Sequence, residues 1–114
     1  MHELSLLQAL VEQVTELAQK ERFCRVVQIR LGVGPLSGVE PECLQLCFAE
    51  AARDTALHDA KLVLEQTPLE LQCKACGQRS CPDAAAELCC VGCGSLATQI
   101  IRGRELCILD LDVQ

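Results

Sequence analysis

Along the start of the chain, apolar residues recur at intervals of three and four. Leu7, Leu10, Val11, Val14, Leu17 and Ala18 form one stripe, with Glu12, Gln13, Glu16 and Gln19 on the other side. This period predicts an amphipathic helix over residues 3–20, which neither proline nor glycine interrupts. Its start can equally fall at His2 or Glu3, and Ser5 with Gln8 has the spacing of a capping box. The period changes over residues 25–33. There Val27, Ile29, Leu31 and Val33 alternate with Gln28, Arg30 and Gly32, the pattern of a half-buried strand. Gly32, Gly34, Pro35 and Gly38 then break the chain, and Pro41 suits the first turn of a second helix. In that helix Leu44, Cys47, Phe48, Ala51 and Ala52 share a face, with an end expected near Arg53 or Asp54.

Residues 61–66 read as a second strand, after which Pro68 interrupts the pattern. Residues 70–97 hold six cysteines and three glycines and have little apolar periodicity. Residues 98–113 return to strand, with Cys107, Leu109, Leu111 and Val113 alternating and Gly103 placed to turn the chain. The order predicts an α+β fold: two helices packed on a small three-stranded sheet, with an inserted zinc-ribbon-like domain. The expected division is residues 1–69 plus 98–114 for the α+β domain and 70–97 for the insertion.

Composition narrows the function. At 114 residues there is room for one modest core and a small appendage, not for a large two-domain enzyme. Phe23 and Phe48 are the only aromatic residues, so the core must be aliphatic. Ten basic and sixteen acidic side chains leave a net charge of −6. Without a basic excess or stacking aromatics, nucleic acid is not an expected partner. No run approaches the roughly 20 apolar residues that span a bilayer, so no membrane is expected either. The opening Met-His-Glu-Leu lacks the basic region of a signal peptide, which points to the cytoplasm.

Ten cysteines fit either a disulfide framework or a metal site in a reducing compartment. Their spacing favours the metal. Cys73-Lys-Ala-Cys76-Gly77 and Cys90-Val-Gly-Cys93-Gly94 are paired Cys-x-x-Cys turns separated by thirteen residues. Such a pair supplies four thiolates for tetrahedral Zn²⁺ and leaves no open position for catalysis. A glycine after each pair permits the positive φ that aims backbone N–H groups at sulfur. Cys81 and Cys89 lie beside this set and read as alternate ligands, a redox pair or filler. Cys24, Cys43, Cys47 and Cys107 fall in core patterns and read as small buried hydrophobes; Cys43 and Cys47 stand four apart on a helix, a spacing that could also hold a metal, but the buried reading is preferred.

The N-terminus offers a second kind of site. The Met1 α-amine, the His2 amide and the His2 imidazole can chelate one metal in fused rings. The Glu3 amide or a carboxylate can complete a square plane, a geometry that suits Ni²⁺ or Cu²⁺. A histidine after the initiator is also often incidental. His58, in a polar loop, reads as solvated.

Three stretches carry a resemblance that covers the whole chain. The opening Met1-His2-Glu3-Leu4-Ser5-Leu6, the segment Leu31-Gly32-Val33-Gly34-Pro35-Leu36-Ser37-Gly38-Val39-Glu40 and the four-cysteine knot are similar to the HypA/HybF family of hydrogenase nickel-incorporation proteins. The resemblance implies a metallochaperone, not an enzyme. It would carry Ni²⁺ to the large subunit of [NiFe]-hydrogenase, working with a HypB-type GTPase, with urease accessory proteins as further partners in some organisms. Residue by residue, it implies nickel at His2 with Met1 and Glu3 beside it, and structural zinc at Cys73, Cys76, Cys90 and Cys93. Cys81 and Cys89 depart from the family pattern. The alternatives are a zinc-ribbon interaction module without nickel transfer and, behind it, a thiol redox enzyme using Cys81 and Cys89.

Overall fold

The computed structural model describes residues 2–82 and 88–114, with the side chain of His2 left out. The chain divides into two units. The first comprises Met1–Leu31, Val39–Glu65 and Cys107–Gln114; the second comprises Gly32–Gly38 and Gln66–Leu106.

In the first unit, α1 runs His2–Glu21 and α2 runs Pro41–Ala52. Ser5 sits inside α1 and is exposed, so it does not cap the helix as its spacing with Gln8 proposed. The helix ends where Arg22 turns to φ 59° and the Phe23 N–H donates to the Ala18 carbonyl at 3.2 Å, the six-to-one bond of a Schellman-type stop. Pro41 opens α2, where its missing N–H costs nothing. The two helices lie against one another. Strand β1 (Val26–Val33) is flanked by β2 (Lys61–Gln66) and by the last strand, giving a three-stranded sheet with β1 in the centre. The buried side chains are Leu7, Val11, Val14 and Ala18 of α1, Leu44, Phe48 and Ala52 of α2, and Val26, Ile29, Leu31, Leu57 and Leu62. This is the aliphatic core the composition demanded. Leu17 departs from the predicted stripe and is exposed.

Arg30 of β1 ties this sheet together across all three strands. Its guanidinium donates to Glu65 of β2 at 2.6 Å and, through Nε and Nη2, to Asp110 of the last strand at 2.8 and 2.7 Å. Both hydrogen bonds favour the charged guanidinium and raise its pKa, that to Asp110 most.

The second unit contains a second sheet that the hydropathy pattern did not predict. Strands β3 (Glu70–Cys73), β4 (Arg79–Ser80) and β5 (Thr98–Arg102) form it in the order β4-β3-β5, with both pairings antiparallel. β3 is four residues long and β4 two, too short for alternation to be read. Gly103 does break residues 98–113 into two strands, β5 and β6 (Leu106–Val113), but these belong to different sheets and form no hairpin. The second unit is therefore wider than residues 70–97. It takes in the glycine-rich Gly32–Gly38 segment because the Gly34 N–H donates to the Glu105 carbonyl and the Leu36 N–H to the Gly103 carbonyl, at 2.8 and 2.6 Å.

Candidate metal centre

Cys73 is the last residue of β3, and Cys76 follows in the turn after it. Within that turn the Ala75 and Cys76 N–H groups point at Cys73 Sγ, at 3.3 and 3.4 Å. The Gly77 N–H donates to the Cys73 carbonyl at 2.9 Å, with Gly77 at φ 78°. The second turn repeats this construction. The Cys93 N–H points at Cys90 Sγ at 3.4 Å, the Gly94 N–H donates to the Cys90 carbonyl at 2.8 Å, and Gly94 has φ 74°. Outside each turn a further bond closes the loop: the Cys73 N–H to the Gln78 carbonyl and the Cys90 N–H to the Ser95 carbonyl, both 2.9 Å. No sequence motif marks Gln78 and Ser95, because they act on the cysteines through backbone groups. In each turn the first cysteine is buried and the second exposed.

The two turns bring four sulfurs together. Cys73 and Cys93 are 3.6 Å apart, Cys76 and Cys90 are 3.6 Å apart, and all four ligand atoms lie within 4.8 Å of one another. A tetrahedron with metal–sulfur bonds of about 2.3 Å has sulfur–sulfur edges of about 3.8 Å. The cluster has the size of a zinc site and is about 1.5 Å too wide for disulfides.

Charge makes the same point. The backbone N–H of Cys76, then that of Ala75, outweighs burial and lowers the Cys73 thiol to about 6. The Cys93 and Gly92 backbone likewise lowers Cys90. At Cys76 the Gln78 backbone favours thiolate, but the neighbouring Cys90 and Cys73 sulfurs and burial outweigh it and raise the pKa. At Cys93 the Ser95 backbone is similarly overcome by Cys73 and Cys90, and the pKa rises to about 12. Two sulfurs are prepared as thiolates and two resist ionisation beside them. A divalent cation at the centre removes that conflict. The four-cysteine cluster fits a structural zinc ion.

The other cysteines stand apart from this set. Cys81 is exposed and Cys89 half-buried. Cys24 is exposed and Cys43, Cys47 and Cys107 are half-buried, so none of the four is the buried hydrophobe that the core patterns implied. They flank the buried stripes instead of filling them. His58 is exposed and lies 3.5 Å from Asp59.

At the other candidate site, Met1 and the His2 side chain fall outside the described residues, while the His2 backbone begins α1. Glu3 lies in the first turn of α1, and its carboxylate accepts the Glu40 N–H at 3.3 Å. This joins the starts of the two helices across 37 positions of sequence, a pairing no local pattern signals.

Two units, one built around a closed four-sulfur knot, define a small metal-handling protein of the α+β class. The comparisons specify which. The family model described as hydrogenase/urease nickel incorporation, metallochaperone, hypA matches residues 1–113. A hydrogenase maturation factor HypA from Chlorobaculum parvum is 38% identical over 114 residues, covering 100% of both chains. One from Polaromonas naphthalenivorans is 40% identical over 111 residues, covering 97% of this chain and 96% of its own. The solution structure of the Ni metallochaperone HypA from Helicobacter pylori covers 97% of this chain at 25% identity with a TM-score of 0.76, over 96% of its own length. The chain belongs to the HypA family of nickel metallochaperones for hydrogenase maturation. Among the described residues, no helix is long and apolar enough to cross a membrane.

Proposed function

We propose that this chain binds Ni²⁺ through the Met1 α-amine, the His2 amide and imidazole, and Glu3, and that Cys73, Cys76, Cys90 and Cys93 hold a structural zinc ion. The protein acts in the cytoplasm as a carrier and not as a catalyst. It receives nickel in concert with a HypB-type GTPase and passes it to the [NiFe]-hydrogenase large subunit. Urease accessory proteins are further recipients where that enzyme is present.

The observation that carries the reading is the pairing of the family's nickel function with a four-sulfur cluster of zinc dimensions. A closed soft-ligand site retains its metal, whereas a terminal site with exposed nitrogen ligands releases it to a partner. The closed tetrahedral site and the open terminal site suit different metals. The acidic Glu3 offsets the partial positive charge of the helix start.

Metal analysis tests this. The chain is expected to hold one zinc ion that survives gel filtration with a nickel chelator, and one Ni²⁺ that the chelator removes. Zinc binding with no nickel uptake would favour the interaction-module reading. A reversible disulfide in place of zinc would favour a redox enzyme.

A further inference from the structure

Cys43 and Cys47 are the strongest feature that the nickel and zinc sites leave unused. They stand four apart on α2, which places their side chains on one face at neighbouring turns, with Cβ atoms about 6 Å apart. The buried stripe of α2 is Leu44, Phe48 and Ala52; the two thiols lie beside it and are half-buried, open enough for an ion to reach. Glu40 is the residue that precedes α2, with extended backbone, and its carboxylate lies 3.9 Å from Cys43 Sγ. The Glu40 N–H in turn donates to the Glu3 carboxylate at 3.3 Å. Two thiols thus sit in an acidic surround at the point where α2 meets the start of α1.

We infer that Cys43 and Cys47 form a second metal site, a dithiolate on α2 that takes Ni²⁺. This rests on the reading of the chain as a nickel carrier. Thiolates are soft donors that bind Ni²⁺ well, and two of them one helical turn apart can share one ion. Binding forms two nickel–sulfur bonds and breaks two S–H bonds. Two protons leave to solvent, nickel stays divalent, and no sulfur is oxidised. The nearby carboxylates lower the cost of bringing a dication to this face. The site gives the cargo a sulfur-ligated position on α2, close to where Glu40 meets Glu3 of α1.

Alkylation kinetics test it on the full zinc-loaded chain, read cysteine by cysteine by peptide mass after brief iodoacetamide exposure. The probes are Ni²⁺ and Cd²⁺, the latter chosen because it prefers sulfur over the N-terminal nitrogen set. Both ions are expected to slow labelling of Cys43 and Cys47 by about tenfold or more, because a metal-bound thiolate is not free to attack. Exposed Cys24 and Cys81 should label at unchanged rates, and with Ni²⁺ the zinc content should stay constant. Cys47→Ser, which keeps the helix, should abolish the protection of Cys43 and the nickel-dependent near-ultraviolet charge-transfer absorption. Unchanged labelling of both cysteines with nickel bound, or protection of Cys43 that persists in Cys47→Ser, overturns the site. His2→Ala separates this from the N-terminal reading. Unaltered nickel uptake in His2→Ala with Cys43 and Cys47 still protected removes the N-terminal ligands and leaves the dithiolate standing. Nickel uptake lost in His2→Ala, with neither cysteine ever protected, removes the dithiolate and leaves the N-terminal site.

Discussion

Replacing Gly34 by alanine tests why the glycine-rich segment is built as it is. Gly→Ala in a loop usually stabilises by about 0.4–1 kcal/mol through the unfolded state, provided the native conformation tolerates a side chain. At Gly34 it does not. A Cβ there would lie 2.3 Å from the Gly103 carbonyl oxygen and 2.9 Å from the Arg104 nitrogen. Ordinary carbon–oxygen contact needs about 3.3 Å, so one backbone must retreat by about 1 Å. Gly103 cannot retreat easily, because Leu69 lies against its other side, with Cδ1 2.7 Å from where a Gly103 Cβ would be. Movement at Gly34 strains its N–H bond to Glu105 and the Leu36 bond to Gly103. Two weakened backbone bonds cost about 2 kcal/mol. Overpacking adds about 1–3 kcal/mol. After the unfolded-state gain, Gly34→Ala is expected to destabilise by about 2–4 kcal/mol, or on the order of 10 °C in melting temperature for this length. Gly38→Ala is the control. Its φ is 78° but its Cβ meets nothing within 4 Å, so only the left-handed backbone penalty of about 1–2 kcal/mol applies. Thermal melts of the zinc-loaded proteins, followed by far-ultraviolet circular dichroism, should rank native, Gly38→Ala and Gly34→Ala in falling order. A Gly34→Ala chain as stable as native, or more stable than Gly38→Ala, refutes the close-approach argument.

Serine at Cys73 or Cys93 is expected to abolish zinc retention and serine at Cys81 to leave it intact, measured as metal content after dialysis; retention in Cys73→Ser would break the ligand assignment. Zinc uptake near pH 7 should release at least about two protons per ion, because Cys76 and Cys93 are raised and still hold theirs there. The sign follows: affinity falls as pH drops, most steeply once Cys73 itself gains a proton below about 6, and a competition titration across pH 5–8 that shows flat affinity would contradict it. Glu12 and Glu16 are exposed on α1, and reversing both to lysine is expected to weaken binding of the partner GTPase with both metals retained; unchanged affinity in a pull-down titration would remove that face from the interface.

What the sequence disclosed and what it hid have a common physical basis. Both helices and strands β1 and β2 lay within a residue or two of their expected ends, because each is long enough for its period to repeat. Leu7, Val11, Val14 and Ala18 repeat over four turns, and one face of such a helix must be buried. The zinc unit's sheet was invisible for the opposite reason. β3 and β4 bury Leu71 and Cys73 between them, and a sheet that short is organised by its sulfur knot more than by apolar alternation. The four cysteines were legible because metal geometry constrains local spacing. The Glu3–Glu40 contact and the Arg30 bridge to Glu65 and Asp110 join residues 35–80 positions apart, and no local pattern encodes such pairings. Burial misled at Cys24, Cys43, Cys47 and Cys107, because their place in an apolar period did not distinguish a core position from its rim.

The most direct test of the central claim is nickel affinity in three zinc-loaded chains: native, His2→Ala, and one with an uncleaved N-terminal extension. The extension keeps every side chain and converts the Met1 amine, with a pKa of about 8, into an amide that resists deprotonation. Competition titration with a nickel chelator should find binding lost in His2→Ala and weakened in the extended chain, with zinc content equal in all three. Native nickel affinity and an unchanged square-planar spectrum in both altered chains would contradict a nickel site at the N-terminus.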